Sequence, residues 1–293
     1  QILENIEDND AFYDQVRQNL REEADRGYGI LRPTEDEDVL LFYSDLHCNI
    51  GMASIINETA KLIRPRLIVS GGDDTMSGTE LEEQCLRPLL RDLQNTSAVV
   101  SPGNHDSEIT EQQFRDHGFS VLDGDTQVLG GYRILGDDDP RRSVFGQEIW
   151  QERSETIDEM DDRLAATACS EDADILVVHD PRAGEAALLA NCTNLVLSGH
   201  SHKEMVAVTD SFGRQIPHIV ADSAGGAERE RPTLGPLQTE ARIYLVRLDR
   251  QTRRLTAMQA VTFGTDASVD FETPQYFSTG SATSERNIGP RPR

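Results

Sequence analysis

Lysine is almost missing from this sequence. Only Lys61 and Lys203 occur among 293 residues, and 28 Lys plus Arg face 52 Asp plus Glu, for a net charge of −24. A field of that sign repels polyanions and argues against a grip on long nucleic acid. It leaves no polybasic segment for an anionic lipid surface. No apolar run reaches the ~18–20 residues that a membrane span needs. Cysteine is scarce too: Cys48, Cys85, Cys169 and Cys192 form no C-x-x-C pair, so zinc ribbons and thioredoxin-type redox motifs are excluded. Four in a chain of this length do not make a disulfide scaffold. One bridge is compatible with the count, although the spacing does not assign it. No internal repeat is present, no signal peptide is visible in the sequence, and the first residue is Gln, not Met. Beginning on Gln, the chain reads as a fragment or processed form, with room for a targeting or anchoring segment before it.

What is present is enough length for one large core and a regular alternation of patterns. Ile2, Ile6, Tyr13, Val16 and Leu20 recur at helical spacing, which predicts an amphipathic helix ending near 26–29. The stretch 1–37 therefore reads as a helix and linker. Five short runs follow: V-L-L-F-Y at 39–43, L-I-V at 67–69, A-V-V at 98–100, I-L-V-V at 175–178 and L-V-L at 195–197. They are rich in Val, Ile and Leu without alternation, as strands covered on both faces are. Helical stretches are expected between them at about 50–63, 79–94, 109–117, 147–168 and 183–190. That alternation predicts an α/β core over 38–276. After about 203 the pattern changes to two antiparallel hairpins, one around D-S-F-G at 210–213 and one around D-R-Q-T-R at 249–253. The Gly-, Pro- and Glu-rich stretch 223–240 is expected to be a surface loop. The tail 277–293 lacks the apolar residues for a core and is expected to be disordered.

Each buried run is followed by chemistry. D-L-H stands at 45–47, G-G-D-D at 71–74, G-N-H-D at 103–106, H-D at 179–180 and G-H-S-H at 199–202, and these clusters hold five of the seven histidines. Ligands of open α/β sheets bind beyond the carboxyl ends of the strands, so all five clusters are expected to meet. Imidazoles, carboxylates and an amide oxygen around one point are the donor set of a borderline divalent metal. The candidates exceed what one tetrahedral ion takes. Two ions sharing a carboxylate is the economical arrangement, and it suits displacement at phosphorus. Gly72, Gly103 and Gly199 fit, because they let the chain turn sharply and approach the site closely.

These five blocks, in this order across roughly 38–205, resemble those of the calcineurin-like metallophosphoesterase superfamily. The resemblance implies a four-layer α/β/β/α sandwich of two mixed sheets flanked by helices. It implies that Asp45, His47 and His202 hold one metal, that Asn104, His179 and His200 hold the other, and that Asp73, directly after glycine, bridges them in preference to Asp74. It implies a hydroxide held between the ions as nucleophile, with His105 beside the phosphate as the acid for the leaving group and not a ligand. Manganese is the first ion expected; these donors also accept Fe, Co, Ni or Zn. The D-L-H-C-N-I-G context behind an acidic helix is also similar to bacterial members whose phosphatase domain follows membrane-spanning segments, which implies a soluble domain tethered upstream of residue 1.

Other residues carry two readings each. Asp106 and Asp180 either orient neighbouring imidazoles or cap turns. Arg141 and Arg142 either reach a substrate phosphate or belong to a solvated loop. The 223–240 loop is a further candidate to line the pocket. Cys48 is expected to be a small buried residue, and His117 and His218 to be surface or structural. The expected partner is a phosphorylated small molecule, cleaved as a monoester or a diester. A scaffold that kept the fold and lost the chemistry is a second reading, distinguished by loss of metal. A nuclease is a third, distinguished by salt-sensitive DNA binding.

Overall fold

The computed structural model describes residues 2–27, 29–90, 96–211, 214–227 and 235–278. The tail expected to be disordered lies outside them beyond residue 278. The elements run α1 (Ile2–Arg26), β1 (Glu37–Tyr43), α2 (Ile50–Ile63), β2 (Leu67–Ser70), α3 (Glu83–Leu90), β3 (Ser97–Val100), α4 (Glu108–Asp116), β4 (Ser120–Val121), β5 (Gln127–Leu129) and β6 (Tyr132–Gly136). They continue as β7 (Arg141–Arg142), β8 (Trp150–Gln151), α5 (Ile157–Glu171), β9 (Ile175–Val177), α6 (Glu185–Ala190), β10 (Leu195–Ser198), β11 (Met205–Ser211), β12 (Arg214–Val220), β13 (Ala241–Asp249), β14 (Leu255–Phe263), β15 (Val269–Phe271) and β16 (Gln275–Tyr276).

Two mixed sheets form the middle of the molecule. The first has the order β15-β14-β13-β1-β2-β3-β4, and the second β11-β12-β10-β9-β6-β5. β1, β2, β3 and β4 are parallel neighbours, with β13 antiparallel to β1. In the second sheet β6, β9, β10 and β12 are parallel, with antiparallel β5 and β11 at the edges.

The unalternating apolar runs are explained by this layering. Along β1, Val39, Leu41 and Tyr43 face a core shared with α1 and α2, while Leu40 and Phe42 face a core between the sheets. Along β9, Ile175 and Val177 face the inter-sheet core, and Leu176 faces α5 and α6. Side chains of successive strand residues point to opposite faces, so a strand buried on both must be apolar throughout. Phe42 is fully buried, and its truncation to alanine would cost about 3–5 kcal/mol. The four layers are thus helices, sheet, sheet and helices. Helix α1 joins the outer layer: Tyr13, Val16 and Leu20 are buried in the helix-side core. Among the described residues no helix is long and apolar enough to cross a membrane.

Several expectations need correction. The stretch 147–168 is not one helix. Trp150 and Gln151 pair with Arg142 and Arg141, and α5 starts only where Thr156 accepts from Glu159 N while Glu159 caps back. That capping box sets the helix start at Ile157, ten residues after position 147. The 79–94 stretch begins as a turn of 3-10 helix at Glu80–Glu82 before α3, and residues 91–95 lie outside the description. Cys48 is not a lone buried thiol. It is bonded to Cys85, and Cys169 to Cys192, so every cysteine is in a disulfide.

Candidate metal centre

Parallel strands of both sheets end on the same side, and the loops that leave them interlock. Asp45 N donates to Gly72 O at 2.9 Å, and His47 N to Asp73 O at 2.9 Å. A Cβ on Gly72 would meet Gly103 N and Ser101 O, and one on Gly103 would meet Asp73; the glycines allow these loops to touch. A Cβ on Gly199 would meet Ser44 and Asp45, which is where the second sheet meets the first. The ligand loops also carry unusual backbone. Asp45, His47, Asp73, His200 and His202 all have positive φ, between 47° and 67°. Non-glycine residues in that region are uncommon, and they cluster where side chains must be aimed.

Two triangles of donor atoms result. In the first, His47 Nε2 and His202 Nε2 are 2.9 Å apart, and Asp45 Oδ1 lies 3.2 Å from His202 Nε2 and 3.8 Å from His47 Nε2. In the second, His179 Nε2 lies 3.1 Å from Asp73 Oδ2 and 3.2 Å from His200 Nδ1. Asp73 also groups with His47 and His105, within 4.8 Å, so it stands between the triangles. Bonds of ~2.0–2.2 Å in a tetrahedral site place ligand atoms about 3.3–3.6 Å apart, a separation that the observed 2.9–3.8 Å spacings bracket. Asn104 Oδ1 is buried with no hydrogen-bond partner. An unsatisfied buried amide oxygen calls for an occupant, and a cation would satisfy it.

The imidazoles are aimed by backbone carbonyls. His179 Nδ1 faces Gly71 O at 2.8 Å, and His202 Nδ1 faces Ala227 O at 2.8 Å. A carbonyl only accepts, so Nδ1 carries the proton and Nε2 is turned to the triangle. His200 presents Nδ1 instead, with its Nε2 4.0 Å from Asp180 Oδ2. His105 Nδ1 donates to Met76 O at 2.8 Å, and its backbone N donates to Asp73 Oδ1 at 2.7 Å. The His105 ring packs edge-on against that of His47, 5.1 Å between centroids.

Charge is arranged accordingly. Burial opposes ionisation of Asp45, but the imidazoles of His202 and His47 override it and hold the carboxyl well below its usual range. Asp73 is lowered in the same way, against burial, by His179 and His105. Burial works against the charged form of His179, and Asp73 outweighs it and raises its pKa. Asp74 takes no part in the triangles. It is fully buried, accepts from Ser70 Oγ at 2.6 Å, and is pushed well up by burial and by Asp106.

The remaining candidates have other tasks. Asp106 touches no imidazole; it accepts from Gly103 N, Thr75 N and Thr75 Oγ1 at 2.9–3.0 Å and so clamps two ligand loops together. Asp180 caps the turn after β9 through Arg182 N at 2.9 Å and also binds Arg141 and Arg182, each at 2.7 Å. Arg141 bridges Asp139 and Asp180. Arg142 is neither solvated nor free for a substrate. It is buried, and it donates to the carbonyls of Asn104, Asp106 and Ser77. His218 is buried against Ser198 Oγ at 2.8 Å, and His117 lies 3.3 Å from Glu83 at the surface, as expected of structural residues. The described part of the 223–240 loop packs against the Asp45 loop, with Gly225 N donating to Asp45 O at 3.1 Å. Sequence reasoning missed the carbonyls of Gly71, Met76 and Ala227, which no side-chain pattern marks.

A sequence model described as calcineurin-like phosphoesterase matches residues 39–204. No curated protein sequence matches the chain. Among solved structures, one of a Thermus thermophilus protein is similar with a TM-score of 0.50 at 11% identity, over 78% of this chain and 99% of that one. A sulfate thiohydrolase from the same species, in complex with glycerol, gives 0.50 at 15% identity, over 81% and 58%. An archaeal phosphodiesterase gives 0.46 at 13% identity, over 76% and 99%. At these identities the first two likenesses bear on the fold alone.

Proposed function

Since the chain belongs to the calcineurin-like phosphoesterase family, we propose that it is a metal-dependent hydrolase of phosphoester bonds with two ions in its site. The observation that carries this reading is the pair of donor triangles meeting at Asp73 with His105 at their side. Asp45, His47 and His202 would hold one ion, and Asn104, His179 and His200 the other, with Asp73 shared. Two bound divalent cations, manganese first among the borderline metals, would supply Lewis acidity at the phosphoryl oxygens and a water of pKa near ~7.

The chain's own residues supply aim and a proton. Met76 O fixes the Nδ1 proton of His105, so Nε2 is the atom turned to substrate. Protonated there, it donates to the leaving oxygen as the phosphorus–oxygen bond breaks, and the ring returns to neutral. Gly71 O and Ala227 O keep His179 and His202 in the tautomer with a free Nε2 lone pair. Asp106 and Arg142 hold the loops bearing Asp73, Asn104 and His105 in register. The phosphorylated substrate is expected to be a small molecule, because the net charge of −24 repels long polyanions.

The test is hydrolysis of p-nitrophenyl phosphate and bis-p-nitrophenyl phosphate by protein stripped with chelator and resupplied with Mn²⁺. Activity that disappears and returns supports the hydrolase, and the ratio of the two rates distinguishes monoester from diester preference. Bound metal without turnover on any phosphoester would contradict it.

A further inference from the structure

Twelve large apolar side chains are exposed among the described residues, and five of them sit on segments tied to one loop. That loop, residues 76–78, holds His105 through Met76 O. Phe145 N donates to Ser77 Oγ at 3.3 Å, and Phe145 is 56% exposed. Ser107 Oγ donates to Gly78 O at 2.6 Å, two residues before the exposed Ile109. Met76 N and Ser77 N donate to Glu82 Oε1 at 3.0 and 3.1 Å, next to the exposed Leu81.

The hairpin of β7 and β8 brings the other two, Ile149 and Trp150. Trp150 pairs directly with Arg142. Directly opposed residues of an antiparallel pair project from the same face. Arg142 points from that face to Ser77 O and Asn104 O, at 2.5 and 3.3 Å. The indole therefore stands on the side of the hairpin turned to the His105 loops. Ser143 N, on the same hairpin, donates to Asn104 O at 2.7 Å.

An apolar rim of this kind is out of keeping with a chain that is 27% charged residues and carries a net −24. Five exposed apolar side chains gathered on segments bonded to one loop make a candidate binding surface. It flanks the one residue that serves the leaving oxygen. We propose that the rim seats an alkyl or acyl chain carried by the leaving group, so that the substrate is an amphiphilic phosphoester. This rests on the hydrolase reading, in which His105 faces that leaving group.

The experiment uses n-alkyl phosphates and their methyl diesters from ethyl to decyl, each below its aggregation concentration. Their leaving alcohols differ little in acidity, so chain length reports burial. The metal-loaded protein should show kcat/KM rising by up to about threefold per methylene until the rim is filled. Phe145→Ser and Ile149→Ser should collapse the ratio of decyl to ethyl. Val128→Ser, 71% exposed on edge strand β5, should preserve it. A wild-type rate independent of chain length would overturn the proposal.

A second reading needs no turnover. Trp150 is the single tryptophan, so its emission should shift to the blue, saturably, with monomeric decylphosphonate and not with ethylphosphonate. Phe145→Ser should weaken that shift. Esters cleaved without chain dependence, and no shift, would overturn the rim and leave the hydrolase standing. A shift with no ester cleaved would keep the rim as a chain-binding surface and sink the hydrolase. A shift with phosphatidylcholine vesicles but not with monomeric decylphosphonate would overturn the proposal in favour of a membrane contact.

Discussion

The two sheets contribute to the centre in different ways. The first supplies both carboxylates, Asp45 and Asp73, the amide of Asn104, His47 and His105, all on loops knitted by backbone bonds such as His47 N to Asp73 O at 2.9 Å. The second supplies three imidazoles, His179, His200 and His202, which reach across a seam. His200 N meets Asp45 Oδ2 at 3.0 Å, and His179 Nδ1 meets Gly71 O at 2.8 Å. Both carboxylates therefore sit on the first sheet's loops, and three of the imidazoles that face them on the second's. Damage to the first sheet's shared carboxylate should reach both ions, and damage to one imidazole of the second should reach one.

Asp73→Asn should break this comparison most severely. It removes the charge between the triangles, and both bound ions and turnover are expected to disappear, read by metal analysis and hydrolysis on one sample. His105→Ala should separate binding from chemistry. Metal content should stay, and the rate on esters with poor leaving groups should fall by about 10²–10⁴-fold; a full rate on alkyl esters would sink the acid assignment. His202→Ala should sharpen the asymmetry by emptying the Asp45 triangle while the Asp73, Asn104, His179 and His200 set keeps its ion.

Smaller effects are structural. Reducing the Cys48–Cys85 bridge, which spans 37 residues, should cost about 2–4 kcal/mol, visible as a lower urea midpoint. His218 is held neutral by burial, its pKa lowered from 6.5 to about 4. Between those values the unfolded chain binds a proton that the folded one refuses. Stability should fall as pH drops from about 6.5 to 4, by about 3 kcal/mol in all. Urea midpoints of wild type and His218→Gln across that window should diverge; parallel curves would refute the assignment.

Much of this was legible in the sequence. The five strands read as apolar runs because layers on both sides remove the need for polar alternation, and the donors fall within a few residues of their ends. Both hairpins after 203 read from their turns and flanking apolar runs. The strands at 118–136 did not, since β4 and β5 are two and three residues long and take their pairing from neighbours. β8 was hidden because Ile149, Trp150 and Gln151 suit a helix as readily as a strand, and only the partner Arg141–Arg142 decides. For Arg142 the sequence offers a substrate phosphate or a solvated loop, and neither reading foresees the three carbonyls that the fold delivers to it. The disulfides were not assignable, because Cys48 meets Cys85 only once α3 is docked beside the ligand loop.

The most direct test counts metal on the wild-type chain. Protein stripped with chelator, equilibrated with Mn²⁺ and freed of excess should hold about two ions per chain, as a site that shares one carboxylate between them requires. A chain that retains none, with its fold intact by circular dichroism, would contradict the account and favour a scaffold.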